Sequence, residues 1–189
     1  MDDVVARAQR GDTRAFEDIC RREERALYRH ALRIVGTTTD AEDVVQDALL
    51  SAWRSIRSFE GTSFRAWLFR IATNRALDVL RARKRRPELP LDPPVEDEDV
   101  SWAEPPAPGP DLAQIASDRE ALGIVEAALA MLPAEQRTAL LLRDVEGFPY
   151  EEIAVITSVE IGTVKSRIHR GRVAVRNALV AKGWRGPAG

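Results

Sequence analysis

The sequence predicts an all-α protein: two small helical domains joined by an acidic, proline-rich linker, the C-terminal one containing a helix-turn-helix. Three observations carry this. Apolar residues recur at steps of three and four, and alternating Val-Thr-Ile runs are absent, the pattern of amphipathic helices and not of strands. Eight of the eleven prolines lie between Pro87 and Pro110, beside Glu96-Asp97-Glu98-Asp99, where missing donors and like-charge repulsion leave no apolar period. Residues 150–157, the turn Ser158-Val159-Glu160 and residues 161–172 read as a short helix, a turn and a second helix. The chain thus divides into residues 1–86, 87–112 and 113–189.

Each element has its own sequence reason. Gly11-Asp12 opens a helix over about 13–35 on the stripe Ala15, Ile19, Leu27, Ala31 and Ile34, and Gly36 ends it. A second helix, over about 40–57, uses Val45, Ala48, Leu49, Ala52 and Ile56, with Thr39-Asp40 as its cap and Asp43 three positions on. Thr62-Ser63 starts a third, over about 64–84, carrying Trp67, Leu68, Ile71, Leu77 and Leu80. Further helices are expected over about 113–131, 134–145, 150–157 and 161–181, with Pro133 at an entry and Gly147-Phe148-Pro149 as a break. The linker's composition implies that the two domains hold no fixed relation.

Composition excludes several classes. No apolar stretch approaches the roughly 20 residues that span a bilayer, and Met1-Asp2-Asp3 lacks a basic leader, so the chain reads as soluble and unexported. The single cysteine and two histidines build neither a disulfide nor a closed metal site, and neither metal nor cofactor is expected. No glycine-rich phosphate loop, nucleophile elbow or zinc-protease motif is present, so an enzyme is not expected. Cys20 beside Arg21 and Arg22 has no neighbouring base, and the paired carboxylates lie in the linker.

The formal net charge of -2 hides a separation. Residues 64–86 hold eight basic side chains and one acid, residues 161–189 hold seven and none, and residues 87–118 hold nine acids and no base. Two blocks able to neutralise phosphate therefore flank an acidic one. In the helix-turn-helix, Ile153, Ala154, Ile161, Val164 and Ile168 supply the packing faces. Lys165, Ser166, His169 and Arg170 then face outward, where they can reach base edges or phosphates in a major groove. Glu151 and Glu152 sit at a helix start and favour its dipole. Asp40, Asp43, Gln46 and Asp47 form a polar face that by itself reads as solvated. Arg70, Asn74, Asp78 and Arg81 line one side of the third helix, preceded by Phe59-Glu60-Gly61-Thr62-Ser63, whose polar groups can meet an unstacked base. Phe59 and Trp67 read as core anchors more than as stacking platforms.

Three stretches, in this order, resemble the extracytoplasmic-function (ECF) sigma factors, the two-domain initiation subunits of bacterial RNA polymerase. They are Asp40-Ala41-Glu42-Asp43-Val44-Val45-Gln46-Asp47-Ala48 through Trp53, Phe64-Arg65-Ala66-Trp67-Leu68-Phe69-Arg70-Ile71-Ala72-Thr73-Asn74 through Arg81, and Gly162-Thr163-Val164-Lys165-Ser166-Arg167 through Arg172. The resemblance covers most of residues 13–181. It implies that Asp40, Asp43, Gln46 and Asp47 dock on the clamp helices of the largest subunit of core RNA polymerase. It implies that Phe59, Gly61, Thr62, Ser63 and Asn74 capture a flipped non-template base of the minus-10 element, with Arg70 and Arg81 on the neighbouring DNA-facing surface. Lys165, Ser166, His169 and Arg170 match the minus-35 reading face, and the linker matches the segment threading toward the polymerase channels.

The resemblance further implies a cytoplasmic, non-enzymatic factor on duplex and melted promoter DNA, restrained by an anti-sigma factor that can hold it at the inner membrane face. Two positions depart from the family pattern: Ser158 stands where glycine is usual in the turn, and Glu160 where proline often follows. A left-handed serine costs roughly 1 kcal/mol. The rival reading is a conventional helix-turn-helix regulator that binds duplex DNA without polymerase.

Overall fold

The computed structural model describes residues 2–61, 63–85 and 112–183. Thr62 lies outside them, as does the expected linker, apart from Leu112. Among the described residues all regular structure is helical: α1 (Asp2–Gln9), α2 (Thr13–Val35), α3 (Thr38–Ser55), α4 (Phe64–Arg85), α5 (Leu112–Met131), α6 (Ala134–Asp144), α7 (Tyr150–Thr157) and α8 (Ile161–Ala181). A single 3-10 turn, Ile56–Ser58, extends α3.

Local chemistry explains most boundaries. Asp12 caps α2 by accepting from the Ala15 N–H at 3.1 Å, and Gly36 ends it in the left-handed region at φ 81°. The α3 cap lies two residues before the expected Thr39-Asp40. Because α2 and α3 are joined by only two residues, Thr37 takes the position, accepting from the Asp40 N–H at 3.4 Å and donating to its carboxylate at 2.7 Å. Sequence analysis did not anticipate α1, which is too short to persist alone. Its Val5 and Ala8 are buried, and it packs on α2.

In the N-terminal domain α2, α3 and α4 pack pairwise, burying Leu27, Ile34, Val44, Ala48, Leu68 and Phe69. In the C-terminal domain α6 and α7 pack on α8 around Leu141, Leu142, Ile153, Ile156 and Ile168. The two domains also pack on each other, α4 against α7 and α2 against α6, so the free relation implied by the linker's composition is not what the structure holds. The physical reason is apolar: the Phe69 and Phe148 rings meet edge-on, their centroids 5.0 Å apart. The buried residues of both domains form one cluster.

Beneath Phe69 lies His30, whose ring centroid is 5.3 Å away and whose Nε2 is 2.9 Å from the Thr73 hydroxyl. Its Nδ1 is buried without a partner. Burial first, and then Arg33 and Arg65, lower its pKa to about 3. The native ring is therefore neutral where the unfolded one, titrating near 6.5, takes up a proton. That stability is complete above pH 6.5 and falls as pH drops toward 3. At pH 5 the expected loss is about 2 kcal/mol, read as a lower urea midpoint than at pH 7 and absent in His30→Gln.

Candidate nucleic-acid and partner interfaces

The first candidate surface is built on the α7–α8 turn. Ser158 adopts φ 54° and ψ 44°, the left-handed conformation that glycine takes without penalty, and Val159 closes the turn by donating to the Ala154 carbonyl at 3.1 Å. Ile153, Ile156, Val164 and Ile168 are buried beneath it, which fixes the angle between the helices. Ile161, expected in that packing face, is instead 38% exposed, because it begins α8 before the helix reaches its neighbours. Farther along, Gly171 lets α8 approach α6: a Cβ there would come within 3.2 Å of Leu140 Cδ2.

This packing turns the remaining side of α8 outward. Lys165, His169 and Arg170 are exposed. Ser166 is half-buried, its hydroxyl donating to the Thr163 carbonyl at 2.9 Å. Beside this face the Tyr150 ring lies 4.7 Å from the Arg143 guanidinium and 5.8 Å from Lys165 Nζ. Arg143 also donates to the Phe148 carbonyl at 2.9 Å. Sequence reasoning missed Arg143 and Tyr150 as neighbours of this face; a basic residue in the last turn of the preceding helix was the available signal. Glu160 caps α8 with extended backbone but no side-chain hydrogen bond, and stays exposed.

A second surface lies where the chain enters α4. Phe59, Phe64 and Trp67 form an aromatic trio with centroids 5.0 to 5.9 Å apart, and Gln9 of α1 fixes the loop by donating to the Phe59 carbonyl at 2.6 Å. Phe59 and Trp67 are half-buried and packed against the core, so both anchor the loop while keeping an edge exposed. Gly61 tucks under Phe59, where a Cβ would sit 2.7 Å from Phe59 Cε2 and would displace the ring. Ser63 accepts from the Ala66 N–H at 3.2 Å and so starts α4.

Phe59, Gly61, Ser63, Trp67 and Arg70 line an open cleft of about 360 Å³, facing Glu151, Glu152 and Val155 of α7. Asn74 is exposed one turn beyond Arg70, and Arg81 is ion-paired with Asp78 at 2.8 Å. Eleven residues of α4 separate Arg70 from Arg81, about 16 Å, so Arg81 does not share the cleft.

The third surface is the polar side of α3. Asp43 and Gln46 are exposed. Asp40 and Asp47 are engaged within the domain: Arg83 holds Asp40 and also donates to the Val35 carbonyl at 2.7 Å, while Arg75 pairs with Asp47. Cys20 is buried away from all three surfaces, and burial, helped by Glu24, pushes its thiol up to about 12. Arg21 and Arg22, its neighbours in sequence, do not offset that rise. Among the described residues no helix is long and apolar enough to cross a membrane.

Comparison with known proteins adds an independent line. Residues 19–86 match the family model for sigma-70 region 2, and residues 122–175 match that for sigma-70 region 4. The chain is 39% identical over 165 residues to the ECF RNA polymerase sigma factor SigE of Mycolicibacterium smegmatis, covering 87% of this chain and 62% of that relative. It is 38% identical over 182 residues to the RNA polymerase sigma-H factor of Pseudomonas aeruginosa, covering 93% and 92%. Among solved structures, it is similar to the sigma factor RpoE in complex with the anti-sigma factor NepR from Bartonella quintana, with 34% identity, a TM-score of 0.64, and 87% of this chain and 96% of that one covered.

Proposed function

The chain belongs to the ECF sigma factors, and from that membership we propose that it binds core RNA polymerase, reads minus-10 and minus-35 promoter elements, and promotes initiation under anti-sigma control. The observation that supports this is a pair of separate exposed surfaces, the outer face of α8 and the cleft at the entrance to α4, each on a helix that belongs to a basic block. The α8 face, with Lys165, His169 and Arg170 exposed, suits the duplex minus-35 element. The cleft beside Phe59, Gly61 and Ser63 suits an unstacked base of the minus-10 element, with Thr62 in the same loop. Arg70, Asn74 and Arg81 extend that surface along α4. Holding the base out of the stack favours the melted strand, which is how a protein without catalytic groups opens DNA. On α3, Asp43 and Gln46 offer the contact to the polymerase clamp, and Asp40 and Asp47 join it through their arginine partners. The factor works in the cytoplasm, makes no bond itself, and an anti-sigma factor can hold it at the membrane.

The test is transcription from a promoter library by core RNA polymerase with and without the protein, with core binding measured in the same tubes. Transcripts starting from a defined pair of spaced elements are expected. Asn74→Ala should leave duplex binding intact and weaken opening, read as permanganate reactivity of unstacked thymines. Duplex binding with no core association would instead identify the regulator reading.

A further inference from the structure

Between the two domains one side chain is inserted like a plug. Glu146, in the turn from α6 to α7, has a side chain only 4% exposed, and Arg65 Nη2 donates to its carboxylate at 2.8 Å. Arg65 Nη1 donates to the Glu146 carbonyl at 2.9 Å, while Nε reaches Glu23 at 3.0 Å. The same guanidinium lies 4.7 Å above Phe69 of α4 and 4.5 Å above Phe148 of the other domain. Arg29 and Arg33 of α2 add positive potential at the carboxylate, whose burial raises its pKa against the pull of these three cations. The closed arrangement depends on both partners, because removing either one leaves the other charged and unpaired inside the interface.

The insertion has a steric and an electrostatic consequence. It lays α7 across the entrance to α4, so Glu151 and Glu152 line the cleft that also holds Phe59, Trp67 and Arg70. Carboxylates lining the cleft would repel the phosphates of a strand entering it. Two elements centred about 25 base pairs apart are separated by about 85 Å of duplex, whereas a compact chain of this length is about 40 Å across. The stretch between α4 and α5 has a contour of at most about 90 Å, enough to let the domains part.

We infer that Glu146 in its Arg65 socket is an interdomain latch that keeps the polymerase-free chain closed, with α7 carboxylates screening its own minus-10 cleft. This inference rests on the sigma-factor reading for the identity of the cleft's ligand, but the latch itself is read without DNA or polymerase. Donor and acceptor dyes at Glu42→Cys and Arg176→Cys, in a Cys20→Ser background, report closure by energy transfer. The closed, high-transfer state is expected to dominate the free protein. Glu146→Ala and the isosteric Glu146→Gln are each expected to shift the closed-to-open ratio at least tenfold toward open, with unchanged helicity by circular dichroism. Low transfer in the parent protein, or no shift in either variant, overturns the latch.

Screening is read by titrating a fluorescent single-stranded oligonucleotide carrying the minus-10 element from the promoter library. In the free protein Glu151→Gln/Glu152→Gln should bind it several-fold more tightly, and that gain should vanish in the Glu146→Ala background, where α7 has already left. Equal gains in both backgrounds would mean that α7 does not screen the cleft. Unaltered latch behaviour with no oligonucleotide binding in any variant would instead count against the sigma-factor reading.

Discussion

Replacing Lys165 and Arg170 together by alanine is expected to reduce transcription from a promoter carrying both elements by about 30-fold or more. Each direct contact to a base edge or phosphate is worth about 1–3 kcal/mol, and two at the low end give about 2 kcal/mol, a 30-fold factor. Both side chains are exposed on α8 and neither packs in the core, so the fold should keep its stability to within about 0.5 kcal/mol. Run-off transcription and competition by unlabelled minus-35 duplex measure the first quantity, and a urea melt measures the second. Full transcription by the double variant would remove α8 as the reading helix. Loss of stability alongside would locate the effect in folding instead.

The second large effect is structural. Phe69→Ala is expected to destabilise the protein by about 3–5 kcal/mol, since the ring is fully buried and lies against His30, Phe148 and Arg65. Phe148→Ala removes the opposing ring from the other domain, and the two substitutions together measure their coupling. A coupling of about 0.5–1.5 kcal/mol is expected for the edge-on pair. Denaturant melts of the parent, both single variants and the double variant provide it. Strict additivity would show that the two rings do not meet in solution, and with them the packing of α4 against α7 would fail.

Periodicity made most of the helices legible. The apolar stripe of α2 is buried as expected, that of α3 is buried except for the half-buried Leu49, and the punctuating residues Asp12, Gly36, Ser63 and Pro133 stand at the ends where they were read. The left-handed turn at Ser158 was legible through the resemblance, which places glycine at that position. Helix α1 was not, because eight residues carry too little pattern, and what stabilises it is the surface of α2.

The candidate surfaces were legible as residue types but not as partnerships. Nothing in the spacing of Asp40 and Arg83, or of Asp47 and Arg75, says that α3 and α4 bring each pair together. The contact between domains was the least legible. Arg65 and Glu146 are 81 residues apart, and an intervening stretch rich in proline and acid suggests independence, whatever the faces on either side of it can bury.

The shared core around Phe69 and Phe148 has a consequence for how the protein melts. Two separate bundles would unfold as two independent calorimetric units, each with the small enthalpy of its own size. Because the buried residues form one cluster, the closed chain should instead absorb heat in a single cooperative transition, and each domain inherits the thermal robustness of the other. An amide at the base of α8 should then exchange its hydrogen at a rate set by a side chain in α4, although the sequence places them in different domains.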